Sequence, residues 1–182
     1  CIMRYTLRLL TADQADRLVR LIGAMNHVAD TVYENHTFPK FRVGMWVGAD
    51  VSPNDLLIVP GRQDRVSAED SLYRLANDLA EKKGSVIQFE VCPWCGDSEA
   101  RGIQNFTNWG IDELNDKPSL IGRCPKSGCL FYEGIPFTSI DDDIYLNPPT
   151  ILLATADKFA RLAHNPWARS EFAEEESSNA RN

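Results

Sequence analysis

Four cysteines carry the most specific chemistry in the chain. Cys92-Pro-Trp-Cys95-Gly places two residues between thiols, and Cys124-Pro-Lys-Ser-Gly-Cys129 places four. A short spacing of this kind lets one tight turn present two sulfurs to a single ion, about 2.3 Å from it, and two such turns complete a tetrahedron around zinc. Gly96 and Gly128 stand where the turns need a permissive backbone. Cys92, Cys95, Cys124 and Cys129 are therefore read as the four ligands of a zinc ribbon. Four thiolates close the coordination sphere and leave no position for an activated water, so the metal is structural. Catalytic zinc patterns are absent. None of His27, His36 and His164 is followed two residues later by glutamate, as the deaminase pattern requires, and no His-Glu-x-x-His occurs.

The 28 residues from Gly96 to Arg123 separate the two pairs. They include Phe106, Trp109, Ile111, Leu114 and Leu120, enough apolar surface for a small hairpin or a loop cap over the metal. Trp94 and Trp109 could stack on bases, but packing around the ion is the expected fate of both.

The elements that must position this ribbon alternate between strand and helix. Cys1–Tyr5 reads as a buried strand and Thr6-Leu-Arg8 as a loop. Thr11 precedes Gln14 by three, the spacing of a capping box, with Leu10 and Ala15 as its staple. Ala15, Leu18, Val19, Ile22 and Met25 then recur at helical spacing, and the helix is expected to end near Val28. Val43–Val47, apolar on both faces, reads as a buried strand closed by Gly48. Ser67-x-x-Asp70 caps a second helix with Leu72, Leu75, Ala76 and Leu79 on its apolar stripe, ending at Lys82-Lys-Gly84. Ser85–Val91 is expected to be a strand that leads into the ribbon.

Beyond the ribbon, residues 135–140 suggest a short strand. Asp141-Asp-Asp143 and Asn147-Pro-Pro149 read as exposed loop, residues 150–154 as a buried strand, and Thr155 as the cap of a last helix limited by Pro166. The fold class expected is α/β: a mostly parallel sheet with helices on its faces, interrupted by the small four-cysteine zinc ribbon. The expected boundaries are 1–91, a ribbon at 92–133, a return to the sheet at 134–169, and an acidic tail at 170–182.

The chain has 182 residues, 43% hydrophobic and 25% charged, and a formal charge of −7. That balance argues against a broad basic face gripping duplex nucleic acid by counterion release. There is no apolar run of the roughly 18 residues that a membrane span needs. Cysteine usage points to a reducing, cytoplasmic setting, with Cys1 left over from the metal set. The opening Cys1-Ile-Met-Arg reads as the middle of a longer protein.

Two junctions, residues 3–14 and residues 149–160, together with Gly44-Met-Trp-Val-Gly48 and the ribbon between them, resemble the first RecA-like domain of superfamily-2 helicases. Within that superfamily the chain is most similar to the large helicase-like proteins of DISARM anti-phage defence systems, over nearly its whole length to about Pro166. The resemblance implies an ATP-dependent motor on nucleic acid. It puts Thr6, Arg8 and Gln14 in the place of one strand-binding motif, Gly48 in a second, and Thr155 and Lys158 in a third; Thr11 joins them as a residue expected to open a helix whose N-terminus meets a phosphate. It further implies single-stranded DNA and defence-system proteins as partners, with RNA left open as a substrate.

The residues supply a mechanism that agrees with this. A helix N-terminus offers unpaired N–H groups and partial positive charge, so a phosphate docks there without a basic groove. No Gly-x-x-x-x-Gly-Lys-[Ser/Thr] loop and no credible acidic box for Mg2+ occur, so ATP and Mg2+ belong to the parent protein and the segment alone is expected not to hydrolyse ATP. The alternative reading is a stand-alone zinc-ribbon module that binds nucleic acid or protein without catalysis.

Overall fold

The structure is a computed structural model, and it describes residues 2–5, 8–33, 40–58, 60, 67–77, 85–97, 99–155 and 158. Four parallel strands form one sheet in the order β1-β6-β2-β5: β1 (Ile2–Tyr5), β2 (Val43–Trp46), β5 (Phe137–Thr138) and β6 (Ile151–Thr155). β6 lies between β1 and β2, in register Tyr5 with Thr155 and Trp46 with Ala154. Strands in such a position are covered on both faces, which is why β2 and β6 read as apolar runs without alternation. Val43, Met45, Val47 and Leu153 face the main core, whereas Trp46, Leu152 and Ala154 meet Ile144 on the other side. The expected α/β class holds.

Helix α1 (Arg8–Val32) covers the first face with Ala15, Val19 and Ile22, all buried. It starts earlier and ends later than its sequence suggests. Thr11 therefore stands inside the helix instead of capping it, because Leu9 and Leu10 continue the helical run toward β1. Helix α2 (Ala68–Ala76) begins as expected: Ser67 is extended and its hydroxyl accepts from the Asp70 amide at 3.0 Å. Its expected continuation past Asn77 lies outside the described residues, as do the expected tail from Ser170 and the helix body after Thr155 apart from Lys158.

Three expectations change. Ser85–Val91 forms no strand; it is an irregular segment anchored by buried Val86 and Phe89, and the Phe89 ring meets Phe137 edge-on at 4.7 Å. The strand expected over 135–140 shrinks to Phe137–Thr138, because only Val43 and Gly44 pair with it. Asp141–Asp143 is the first turn of helix α3 (Asp141–Leu146), not exposed loop, and Asp143 is fully buried.

Asp143 explains the last change. One of its oxygens accepts from Thr138 Oγ1 at 2.6 Å, Ser119 Oγ at 3.0 Å, Arg42 Nη2 at 3.3 Å and the Leu120 amide at 3.3 Å, and the other accepts from Asn147 Nδ2 at 3.1 Å. Donors from the sheet, from the ribbon and from its own helix thus satisfy a charge that would otherwise be costly to bury. Asp142 accepts from the Leu56 amide at 3.0 Å, and Asp141 pairs with Lys158. Acidic side chains in a helix's first turn are also favoured by its dipole.

The ribbon does not stand off from this body. Its hairpin, β3 (Trp109–Leu114) and β4 (Lys117–Gly122), turns at Asn115 and Asp116 with φ of 52° and 60°, the left-handed pair of a tight two-residue hairpin. The Ile135 amide donates to the Gly122 carbonyl, and Phe131 seats against Gly23 of α1, where an added Cβ would come within 2.5 Å of the ring. Cys92, Cys124 and Cys129 belong to the same apolar cluster as Val43 and Ile22.

Two substitutions test this arrangement. Asp143→Ala leaves the buried Arg42 guanidinium without its counter-charge and should lower unfolding free energy by about 3–5 kcal/mol in a denaturant titration; a loss under about 1 kcal/mol, the level of an exposed pair, would contradict the hub. Gly23→Ala forces Phe131 to move and should cost about 1–3 kcal/mol by the same measurement.

Candidate metal centre and strand rim

The four thiol sulfurs of Cys92, Cys95, Cys124 and Cys129 all lie within 4.8 Å of one another. Cys92 Sγ is 3.8 Å from Cys129 Sγ, and Cys95 Sγ is 3.7 Å from Cys124 Sγ. A disulfide needs about 2.05 Å, so neither pair is bonded. Four sulfurs at about 2.3 Å from one ion at tetrahedral angles stand about 3.8 Å apart. The donor set and its spacing therefore fit zinc.

Each pair of cysteines sits on a turn that carries a glycine at positive φ next to its second sulfur. In the first, the Gly96 amide donates to the Cys92 carbonyl at 2.9 Å, with Gly96 at φ 69°. In the second, the Cys129 amide donates to the Lys126 carbonyl at 3.1 Å, with Gly128 at φ 78°. A Cβ at that φ would be strained, which makes glycine the residue that lets each turn close beside its second sulfur. The Phe131 amide donates to Cys129 Sγ at 3.4 Å.

The thiols differ in their ease of ionisation. Burial pushes Cys124 far above the ordinary thiol range and takes Cys129 to about 11. Burial also acts upward on Cys95, but the Asp97 amide and the neighbouring sulfurs outweigh it and hold this thiol below its usual value. A cation would favour the ionised forms of Cys124 and Cys129, and such an ion would cross-link two turns 29 residues apart at Cys95 and Cys124.

Of the residues expected to touch nucleic acid, Gly48 and Thr155 lie at one edge of the sheet, close to where α1 begins at Arg8. β1, β6 and β2 are parallel and in register, so Tyr5, Thr155 and the Trp46-Val47-Gly48 exit share the carboxyl edge. α1 starts at Arg8, three residues beyond Tyr5, and Lys158 follows Thr155 by three. Open α/β sheets place ligands at this edge. Gly48 and Thr155 are half-buried there. Thr11 lies in the first part of α1, and Gln14, half-buried, about a turn further along. Thr6 lies outside the described residues.

Lys158 departs from its expected role. It is 3% exposed, it forms an ion pair with Asp141 and donates to Asn54 Oδ1 at 3.4 Å, and its ammonium lies 5.6 Å from the centre of the Trp46 ring. A charge committed in this way holds the chain after β6 onto α3 and does not reach a phosphate in solvent. Burial raises the Asp141 carboxyl above its usual range, with Lys158 opposing that rise. Sequence reasoning missed both residues' pairing because it took Asp141 for loop.

Trp109 is buried as expected, with its indole N–H donating to the Ile103 carbonyl at 2.7 Å and its ring over Gly122. Trp94 is not; 40% of it is exposed, its ring tilted against Phe131 at 6.0 Å between centres. Asp112 lies exposed on β3 and pairs with Arg123 at 2.6 Å. Among the described residues no helix is long and apolar enough to cross a membrane.

No family model matches the chain. The DISARM protein DrmA of Bacillus paralicheniformis is 36% identical to it over 171 residues, 91% of this chain. The chain spans 14% of that relative's length.

The metal centre predicts one zinc per chain. Cys92→Ser or Cys124→Ser should abolish stoichiometric zinc and speed amide exchange in β3 and β4, read by metal analysis and hydrogen exchange. Metal entry displaces protons from thiols that burial keeps protonated, so zinc occupancy should fall as pH is lowered. Full zinc retention by either variant would disprove the ligand set.

Proposed function

From this relationship to a stretch of the DISARM protein DrmA, we propose that the chain is a segment of an anti-phage defence protein, and that the parent is an ATP-driven helicase or translocase on single-stranded nucleic acid. In this reading the segment supplies backbone contacts from the carboxyl edge of its sheet, at Thr6, Arg8, Thr11, Gln14, Gly48 and Thr155. Lys158 serves from beneath, holding the exit of β6 in place. ATP and Mg2+ act in parts of the parent that this sequence does not contain.

The observation that carries the reading is the adjacency of β1 and β6, which sets the start of α1 beside the exit at Thr155. α1 is 25 residues long and has no acidic residue in its first turn, so the partial positive charge at its N-terminus is not neutralised by its own side chains. A phosphate is the natural counterpart of such an end. Backbone amides and one arginine can then bind a single strand despite a formal charge of −7. The fusion of the ribbon with the sheet's core favours this reading over a stand-alone ribbon module, since the two share Asp143 and Phe131.

In the full-length protein, Arg8→Ala should weaken binding to a single-stranded oligonucleotide and reduce the slope of log affinity against log salt by about 0.7, one phosphate contact's worth. Fluorescence anisotropy across a salt series measures both. Unchanged affinity and slope at low salt would reject the rim as the binding edge.

A further inference from the structure

We propose that the outer face of the ribbon is a docking surface for a protein partner that presents a basic segment with an apolar anchor. Three large apolar side chains stand exposed there: Val91 at 40%, Trp94 at 40% and Tyr132 at 49%. Each is tied to the metal centre by sequence and geometry. Val91 adjoins Cys92, Trp94 adjoins Cys95, and the Tyr132 amide donates to the Cys129 carbonyl at 3.0 Å. The mutual proximity of the four sulfurs therefore gathers the three side chains around one centre. Exposed aromatic residues held rigidly are costly to leave in water and are enriched where partners bind.

The charge around them selects the partner. Glu90 and Glu133 flank Val91 and Tyr132 and are exposed, and Asp97 follows the first turn. From Glu90 to Glu133 the chain carries seven carboxylates against four cations. Of those cations, Arg123 is paired with Asp112, leaving Lys126 at the tip of the second turn as the nearest in sequence to the centre. Such a surface repels a phosphate backbone and attracts arginine or lysine, for which the Trp94 face is a cation–π partner.

Glu133, next to Tyr132 in sequence, also lines a cavity of about 490 Å3 between α1 and the ribbon, walled by Phe41, Leu114, Ile121, Leu130 and Ile135, with Arg42 and a Lys40–Asp30 ion pair on its polar side. Its size and apolar walls suit a large anchoring side chain. Glu133 is the residue shared by this cavity and the exposed patch, where it can take a basic residue beside that anchor. This assignment stands apart from the strand rim and does not need the motor reading to be right.

The test uses the full-length zinc-loaded protein and a fluorescent dodecapeptide of alternating leucine and arginine, with glutamate replacing arginine in a control. Expected are measurable binding of the basic peptide only, a loss of about tenfold or more in Trp94→Ala and in the double variant Glu90→Lys/Glu133→Lys, and near-native affinity in Trp94→Phe. Zinc content measured on each variant separates lost contact from lost fold; should Trp94→Ala shed metal, the charge-reversed variant decides. Equal binding of the acidic control, or zinc-loaded variants that bind like the parent, overturns the proposal. So does a Trp94→Ala protein that keeps the peptide and loses a single-stranded oligonucleotide, which would make the face a nucleic-acid surface.

Discussion

Everything in this fold converges on one buried carboxylate. Asp143 gathers four donors on one oxygen and a fifth on the other, from Arg42 before β2, Thr138 on β5, Ser119 and Leu120 on β4, and Asn147 at the end of α3. A carboxylate in an apolar interior is tolerable only when its lone pairs are filled and its charge is met, and removing any part leaves the rest more costly than before. Apolar packing alone would let the ribbon slide on the sheet. The directional requirements of this single group allow one arrangement, because the sheet, the hairpin and α3 must all present donors at once. Arg42 Nη1 remains without a partner, so the fit is tight but not complete.

The three successive aspartates divide the work. Asp143 turns inward, Asp142 takes the Leu56 amide, and Asp141 takes Lys158. A run of like charges would ordinarily repel, yet on a helix's first turn successive side chains point about 100° apart, and each finds a different donor. The consequence reaches the strand rim. Because Lys158 pairs with Asp141 and lies over the Trp46 ring, it ties α3 to β2 close to the carboxyl edge that gathers Tyr5, Gly48 and Thr155.

What could be read from the sequence and what could not divide along a physical line. The cysteine spacing was legible because metal geometry is local in each turn and nearly independent of the surroundings. Ser67 was legible for the same reason, since a cap is satisfied within three residues. β2 and β6 announced themselves through apolar runs that only a doubly covered strand tolerates. Asp141–Asp143 could not be placed, because an acidic triplet before Pro148 looks like solvated loop until Arg42, 101 residues earlier, is known to face it. The hairpin's Asn115-Asp116 turn was weaker than the usual glycine-bearing pair, and Ser85–Val91 had strand-like composition but no neighbouring strand edge to pair with. Long-range partners decide such cases, and a single sequence does not display them.

The ribbon has two faces, and its cysteine turns serve both. Inward, Phe131 packs against Gly23 of α1 and lies with Cys124 and Cys129 in the main core. Outward, the same two turns hold Trp94 and Tyr132 in water, where a mobile loop would fold them away. A hydrophobic side chain can be kept exposed only if the backbone beneath it is denied the freedom to bury it. Two glycines at positive φ, and four thiols spaced to close around one ion, would provide that denial within a few residues, without requiring a second hydrophobic core. Two braces of different kinds thus meet in the ribbon: the charge at Asp143 joins the hairpin to the sheet and α3, and the cysteine cluster, whose four sulfurs fit one zinc ion, joins its two turns.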